Sequence, residues 1–229
     1  MKLPLSDRLL ACCKFVHPGD RVADVGCDHG YLGIHLLTSG IASSIIASDV
    51  NEGPLQSAMH NARKFGVADN MNFYLSDGVR NVPRDFDCMV CAGMGADTMV
   101  SILEAAPWLK NEQYRLILQC QSKIPMLREY LSQHGWEIHD ENVLRDGRFL
   151  YTIMEVVWNP EAPKLTTGQC YFPPALLKNP SPFLAQYYQW VTEGLRIAVT
   201  HQDDPEKKQI LAELTDLAEK FPWLKEEAK

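Results

Sequence analysis

Two rhythms of apolar and polar positions take turns along the first two thirds of the chain. Short apolar runs at 21–25 (RVADV), 43–50 (SSIIASDV), 71–76 (MNFYLS), 87–92 (DCMVCA) and 114–120 (YRLILQC) are bounded by turn residues and read as strands. Between them, 30–38, 54–65, 97–105 and 123–134 read as helices, the second entered through Gly53-Pro54, where proline suits a first turn. An amphipathic helix over 5–16, N-capped by Ser6 and stopped by the turn HPGD, precedes the first strand. This alternation predicts a parallel, doubly wound α/β sheet.

The rhythm then changes. EIHDENVLR and RFLYTIMEVVW flank Asp146-Gly147, which predicts a β-hairpin with a two-residue turn. A mostly parallel sheet finished by an antiparallel hairpin is the layout of Rossmann-like class I methyltransferases, a likeness of fold alone. Residues 159–182 are proline-rich and without periodicity, and read as a linker. FLAQYYQWVTEGLRIAVT (183–200) and PEKKQILAELTDLAEKF (205–221) then predict an antiparallel helical hairpin, with Leu211, Leu214 and Leu217-Ala218 as its packed stripe. The expected domains are 1–158, an α/β sheet, and 159–229, a linker with a small helical unit.

Composition narrows the function classes. The 229 residues are 46% hydrophobic and 22% charged, ordinary for a globular protein, and no apolar run is long enough to cross a membrane. The N-terminus lacks a signal peptide's layout, so the cytoplasm is expected. Seven cysteines, an odd number scattered through apolar segments, fit reduced thiols. Cys88 and Cys91 form a CxxC, but on a strand residues three apart face opposite ways, and no second ligand pair lies nearby; no metal is expected. A net charge of −7 gives no broad basic footprint, so any nucleic-acid contact must use a local patch.

The chemistry concentrates in VADVGCDHGYLG (22–33). In an open α/β sheet, ligands sit at the carboxyl ends of strands, where the first strand–helix loop lies. A dinucleotide loop places glycines around a pyrophosphate. Here Asp28 stands where the middle glycine would be, and it would repel that group. S-adenosylmethionine (SAM) carries no phosphate and has ammonium and sulfonium centres, which carboxylates attract. Asp49 ends the second strand about 20 residues on, where an acid bonds ribose hydroxyls. Asp77-Gly78 follows the third strand, where methyltransferases commonly place an acid near the adenine amino group. No tyrosine has a lysine four residues later, as a short-chain dehydrogenase requires. SAM is the expected cofactor, although Asp28 alone could be a helix cap and Asp77 alone a turn residue.

LSDRL (5–9), VADVGCDHGYL (22–32), SDVNEGPL (48–55), SDG (76–78), AGMG (92–95) and LILQ (116–119) occur in this order, extended by LREYLSQHGWEI (127–138) and FPPALLKNPSPFLAQYYQW (172–190). Together they resemble the bacterial tRNA (adenine22-N1)-methyltransferase family over nearly the whole chain. Ala96, Cys120, Gly30 and Gly33 depart from its usual pattern. The resemblance implies a Rossmann-like SAM domain, a helical C-terminal domain that helps hold tRNA, and methyl transfer to adenine N1. Cofactor contact is then expected from Asp24, Gly26, Cys27, Asp28, Gly30, Asp49, Val50, Asp77, Gly78, Ala92, Gly93 and Met94.

Enzymes that methylate an exocyclic adenine nitrogen often carry N/D-P-P-Y/F/W after the fourth strand; AGMG stands there instead. Adenine N1 bears a lone pair and no proton, so alignment rather than a base is required. Catalytic roles are expected for Tyr31 and Met94, packing on a flipped base, and for Asp28 and His29 beside it. Arg8, Arg145, Arg148, Lys178, Lys207 and Lys208 are the candidates for RNA phosphates. Two other readings stay open: a SAM-dependent methyltransferase acting on another RNA or a small molecule, and a SAM-binding regulatory protein without turnover.

Overall fold

The computed structural model describes residues 3–226. Strands β1 (Arg21–Val25), β2 (Ser44–Asp49), β3 (Met71–Leu75), β4 (Cys88–Met94) and β5 (Arg115–Cys120) are parallel. Two long strands, β6 (Trp136–Asp146) and β7 (Phe149–Trp158), form a hairpin whose β7 lies antiparallel to β5. The order across the sheet is β3-β2-β1-β4-β5-β7-β6. The order reverses between β1 and β4, which opens a crevice at their carboxyl ends.

Helices α1 (Asp7–Cys13), α2 (Tyr31–Thr38), α3 (Glu52–Lys64), α4 (Ala96–Ala105) and α5 (Ile124–Gln133) cover the sheet. Both faces are covered, so β1 and β2 are buried almost throughout, their polar residues Asp24, Ser48 and Asp49 included. The period of two still sorts the side chains. Val22, Ile45 and Val90 pack with Leu36, Leu55 and Ala58, whereas Ala23, Ile46 and Met89 pack with Met99, Leu103 and Leu127. Cys88 and Cys91 fall into these two different clusters, on opposite faces. All seven cysteines are free and buried.

Two expectations need correction. The hairpin turn is Gly147-Arg148, because Asp146 pairs with Phe149. Gly147 has φ +60, and a type II′ turn needs glycine at its first central position. Residues 159–182 are also more than a linker. They contain α6 (Thr167–Tyr171), opened by a Thr166–Gln169 capping box, and a 3₁₀ turn at Pro174–Leu177. A five-residue helix leaves no room for the apolar repeat that would betray it.

Helices α7 (Leu184–His201) and α8 (Pro205–Lys220) pack with these pieces and with Val143 of β6 in a third apolar cluster. Arg128 of α5 and Glu141 of β6 lie at the junction, both completely buried. Arg128 also donates to the carbonyls of Cys170 (3.0 Å) and Tyr171 (2.9 Å) and to the Tyr187 hydroxyl (3.2 Å).

Candidate active site

The carboxyl ends of β1, β2 and β4 surround a cleft of about 510 Å³. Its floor is the loop after β1, shaped by backbone that twists left-handed at Gly26 (φ +72), Asp28 (φ +50) and Gly30 (φ +71). Aspartate tolerates that region better than most side chains, which explains how an acid replaces glycine at 28. The Gly26 and Cys27 N–H groups donate to the Ser48 carbonyl at 2.8 and 2.9 Å, tying the loop to the end of β2.

Asp49 completes this tie. Its carboxylate accepts the Asp28 N–H (3.2 Å) and the Asn51 N–H (2.8 Å), so it orders both loops while keeping lone pairs for a ligand. Asp24, one turn of pleat before Gly26, is buried with its Oδ2 unpartnered. Burial pushes its carboxyl up to about 7, a backbone hydrogen bond from Gly33 opposes the rise, and the Asp49 charge adds to it. A buried carboxylate oxygen without a partner, in the wall of a cleft, suits a cationic ligand. The donor set therefore fits SAM.

Most residues expected at the cofactor line this cleft: Asp24, Gly26, Cys27, Asp28, Asp49, Val50, Asp77, Gly78, Ala92, Gly93 and Met94. Gly30 does not. It is the left-handed N-cap of α2 and faces α3, where a Cβ would lie 2.9 Å from that of Ala58. Its small size permits helix packing. Gly26 meets a similar limit from inside the cleft, since a Cβ would lie 2.2 Å from Met94 Cε. Asp77 borders the cleft but also pairs with Arg80 at 3.3 Å.

Tyr31, His29 and Asp28 lie together at the mouth, with the rings of His29 and Tyr31 5.8 Å apart and His29 Nε2 3.7 Å from Asp28 Oδ1. Met94 stands across from them, beyond the bulge that Gly93 makes in β4. Two further residues, Gln119 and Gln121, belong to the site. Gln119 of β5 is fully buried, and its Oε1 accepts both the Gly93 N–H (3.1 Å) and Arg8 Nη1 (2.8 Å). Gln121 lines the cleft. The signal for Gln119 was a polar residue inside the apolar run LILQC.

The six RNA candidates divide. Arg8 lines the cleft itself. Arg145 and Arg148, on the hairpin, stack on Phe183 and Phe149. Each of the three lysines has a partner within the chain: Lys207 pairs with Asp204 at 2.8 Å, Lys208 pairs with Asp203, and Lys178 donates to the His139 carbonyl. Acids at the start of α8 and a nearby carbonyl draw these ammonium groups in. Among the described residues, no group of three His, Cys, Asp or Glu side chains could hold a metal ion, and no helix is long and apolar enough to cross a membrane.

A Rossmann-like sheet with an acid at the end of each of three successive strands, all bordering one cleft, defines a SAM-dependent methyltransferase. Residues 5–154 match the family model described as a methyltransferase domain, and the chain belongs to that family. It is 28% identical over 227 residues to the tRNA (adenine(22)-N(1))-methyltransferase of Bacillus subtilis (strain 168), covering 95% of each protein. The crystal structure of the B. subtilis M1A22 tRNA methyltransferase TrmK superposes with a TM-score of 0.79 at 25% identity, covering 98% of this chain and 100% of that one. Sp1610 of Streptococcus pneumoniae, solved in complex with S-adenosyl-L-methionine, superposes with a TM-score of 0.81 at 32% identity, covering 92% and 99%.

Proposed function

We propose that the chain methylates N1 of adenine 22 in tRNA. The observation that carries this reading is the end of β4, where Ala92, Gly93 and Met94 of the Ala92-Gly93-Met94-Gly95 tetrapeptide offer the cleft backbone and a thioether. Nothing in that tetrapeptide accepts a proton. An exocyclic amine is a weak nucleophile that needs its hydrogens held, whereas N1 presents an in-plane lone pair with no proton to remove. Alignment then supplies most of the rate, and alignment is what a shaped cleft gives. The similarity to the B. subtilis enzyme supports the same position and base.

SAM, when bound, supplies a methyl group on a cationic sulfur. Asp24 draws its positive centres, Asp49 offers acceptors to hydroxyls, and Asp77 with Gly78 borders the adenine end. Tyr31 and Met94 pack on the target base, and His29 closes the mouth against water. Methylated adenine is cationic, and the carboxylate of Asp28 at the mouth favours that charge. Gln119 holds the Gly93 loop and Arg8 in register.

In this reading residues 1–158 hold cofactor and target base, and the remainder supports the RNA side of the hairpin. Work on tRNA places the enzyme in the cytoplasm. The test is an unmodified tRNA transcript incubated with SAM and mapped by primer extension, because N1-methylation blocks the Watson–Crick edge. Extension should stop one nucleotide to the 3′ side of position 22, and a transcript with guanine there should not be modified. Methylation at another base would move the enzyme to another RNA target. SAM binding with no transfer to any tRNA would leave a binding protein.

A further inference from the structure

The hairpin projects beyond the sheet that carries it. β5 runs parallel to β1 and β4, so its carboxyl end points to the edge where the cleft opens. β7 pairs with β5 only from Met154 to Val157. Its first half, Phe149–Ile153, therefore runs past Leu118, the last β5 residue it pairs with, by roughly 16 Å at the rise of a strand. It flanks α1, whose Arg8 borders the cleft.

One face of that overhang is a stripe of arginine and aromatic groups. Phe149 and Tyr151 point the same way, with ring centroids 6.4 Å apart. The Arg148 guanidinium lies 4.9 Å from the Phe149 ring centroid, and that of Arg8 lies 5.5 Å from the Tyr151 centroid. Arg8 also borders the cleft and is held by Gln119, so the stripe runs from the hairpin tip to the site of methyl transfer. Phe149 is 54% exposed, unusual for so large an apolar ring.

The charge is available. Among the described residues, Arg8, Arg145 and Arg148 have no carboxylate within ion-pair distance, whereas Lys123, Arg196, Lys207 and Lys208 all do. A guanidinium stacked on a ring keeps its N–H edges free for phosphate oxygens. Asp146, the acid nearest the tip in sequence, lies opposite Phe149 on the same face of the hairpin but makes no ion pair with Arg148. In a chain of net charge −7, Arg148 at the hairpin tip and Arg8 of the adjoining α1 leave a local basic stripe, whereas Arg145 lies on the opposite face against Phe183.

We propose that this stripe is the track for the RNA strand flanking the target adenine: a neighbouring base stacks on Phe149 while Arg148 and Arg8 hold its phosphates. The proposal rests on the tRNA reading above, and it moves RNA contact from the C-terminal lysines to the hairpin. Both Arg148 and Phe149 are exposed, so their replacement spares the core.

The experiment measures tRNA affinity of the full chain across several salt concentrations, with SAM affinity by calorimetry alongside. Arg148→Ala/Phe149→Ala should weaken tRNA binding roughly ten-fold or more and leave SAM binding unchanged. Arg148→Ala alone should flatten the salt dependence by about one phosphate's worth. Phe149→Trp should retain binding, since any flat ring stacks. Unaltered tRNA affinity in the double variant overturns the track. So does loss confined to Lys207→Ala/Lys208→Ala, which returns RNA contact to the tail. If the unaltered protein binds SAM but methylates no tRNA, the substrate reading falls first and takes the track with it.

Discussion

Arg128 Nη2 donates to Glu141 Oε1 at 2.6 Å, and Nε donates to Oε2 at 3.2 Å, with both side chains out of contact with water. The pair joins α5 to the hairpin, while further Arg128 bonds reach α6 and α7. Removing one partner strands a buried charge; removing both does not. Arg128→Met should therefore destabilise by ~3–5 kcal/mol, and Arg128→Met/Glu141→Leu by much less than the two single changes summed. Chemical denaturation of the four proteins checks this. A chain cut after Trp158 should fold poorly for the same reason, because it loses the carbonyl and hydroxyl acceptors of Arg128. Additive single effects would show that the pair does not act as a unit.

Asp24 predicts a pH dependence. Its folded-state value, about 7, lies above the ordinary carboxylate range, so its contribution to stability is complete below that ordinary range and fades as pH rises through about 7. A cationic ligand favours the ionised form. SAM binding near pH 6 should thus release a proton, and affinity should rise toward pH 8. Calorimetry in two buffers of different ionisation enthalpy counts the proton. Asp24→Asn should abolish the release, and a release that persists in this variant would remove Asp24 as its source.

Gly26 and Met94 test the shape of the cleft. Gly26→Ala puts a methyl group 2.2 Å from Met94 Cε and places alanine at φ +72. The backbone alone costs ~1–2 kcal/mol in that region. SAM affinity should fall at least ten-fold by that cost with the clash added. Adding Met94→Ala should restore only the steric part. Equal affinities in the native protein and both variants would mean that the loop yields freely.

For Asp49, two loops depend on one carboxylate. Asp49→Ala leaves the N–H groups of Asp28 and Asn51 without their acceptor and should weaken SAM binding by ~1–3 kcal/mol. Asp49→Asn keeps one acceptor oxygen and should lose less. Both are read by titration with S-adenosylhomocysteine, which carries the same ribose. Full affinity in Asp49→Ala would show that the loops hold without it.

Much of this protein was legible along the chain because its signals are local. Apolar runs such as RVADV, turn residues such as Gly53-Pro54, and the acids 24, 49 and 77 at strand ends each declare themselves within a few residues. They define the sheet, its direction and the kind of ligand it binds. Gly30 misled, since a glycine in a ligand loop reads the same whether it faces the ligand or, as here, a neighbouring helix. The short α6 lacked the length to show a period. Which charges are engaged was only partly legible: the Lys207–Asp204 pair spans one helical turn, whereas the pairs of Arg115 with Asp20 and Glu155 join segments far apart in the chain. Likewise Arg8 and Gln119, 111 residues apart, meet only because β5 ends beside α1. Pairing, burial and overhang depend on which segments the fold brings together, and only the tertiary structure decided them.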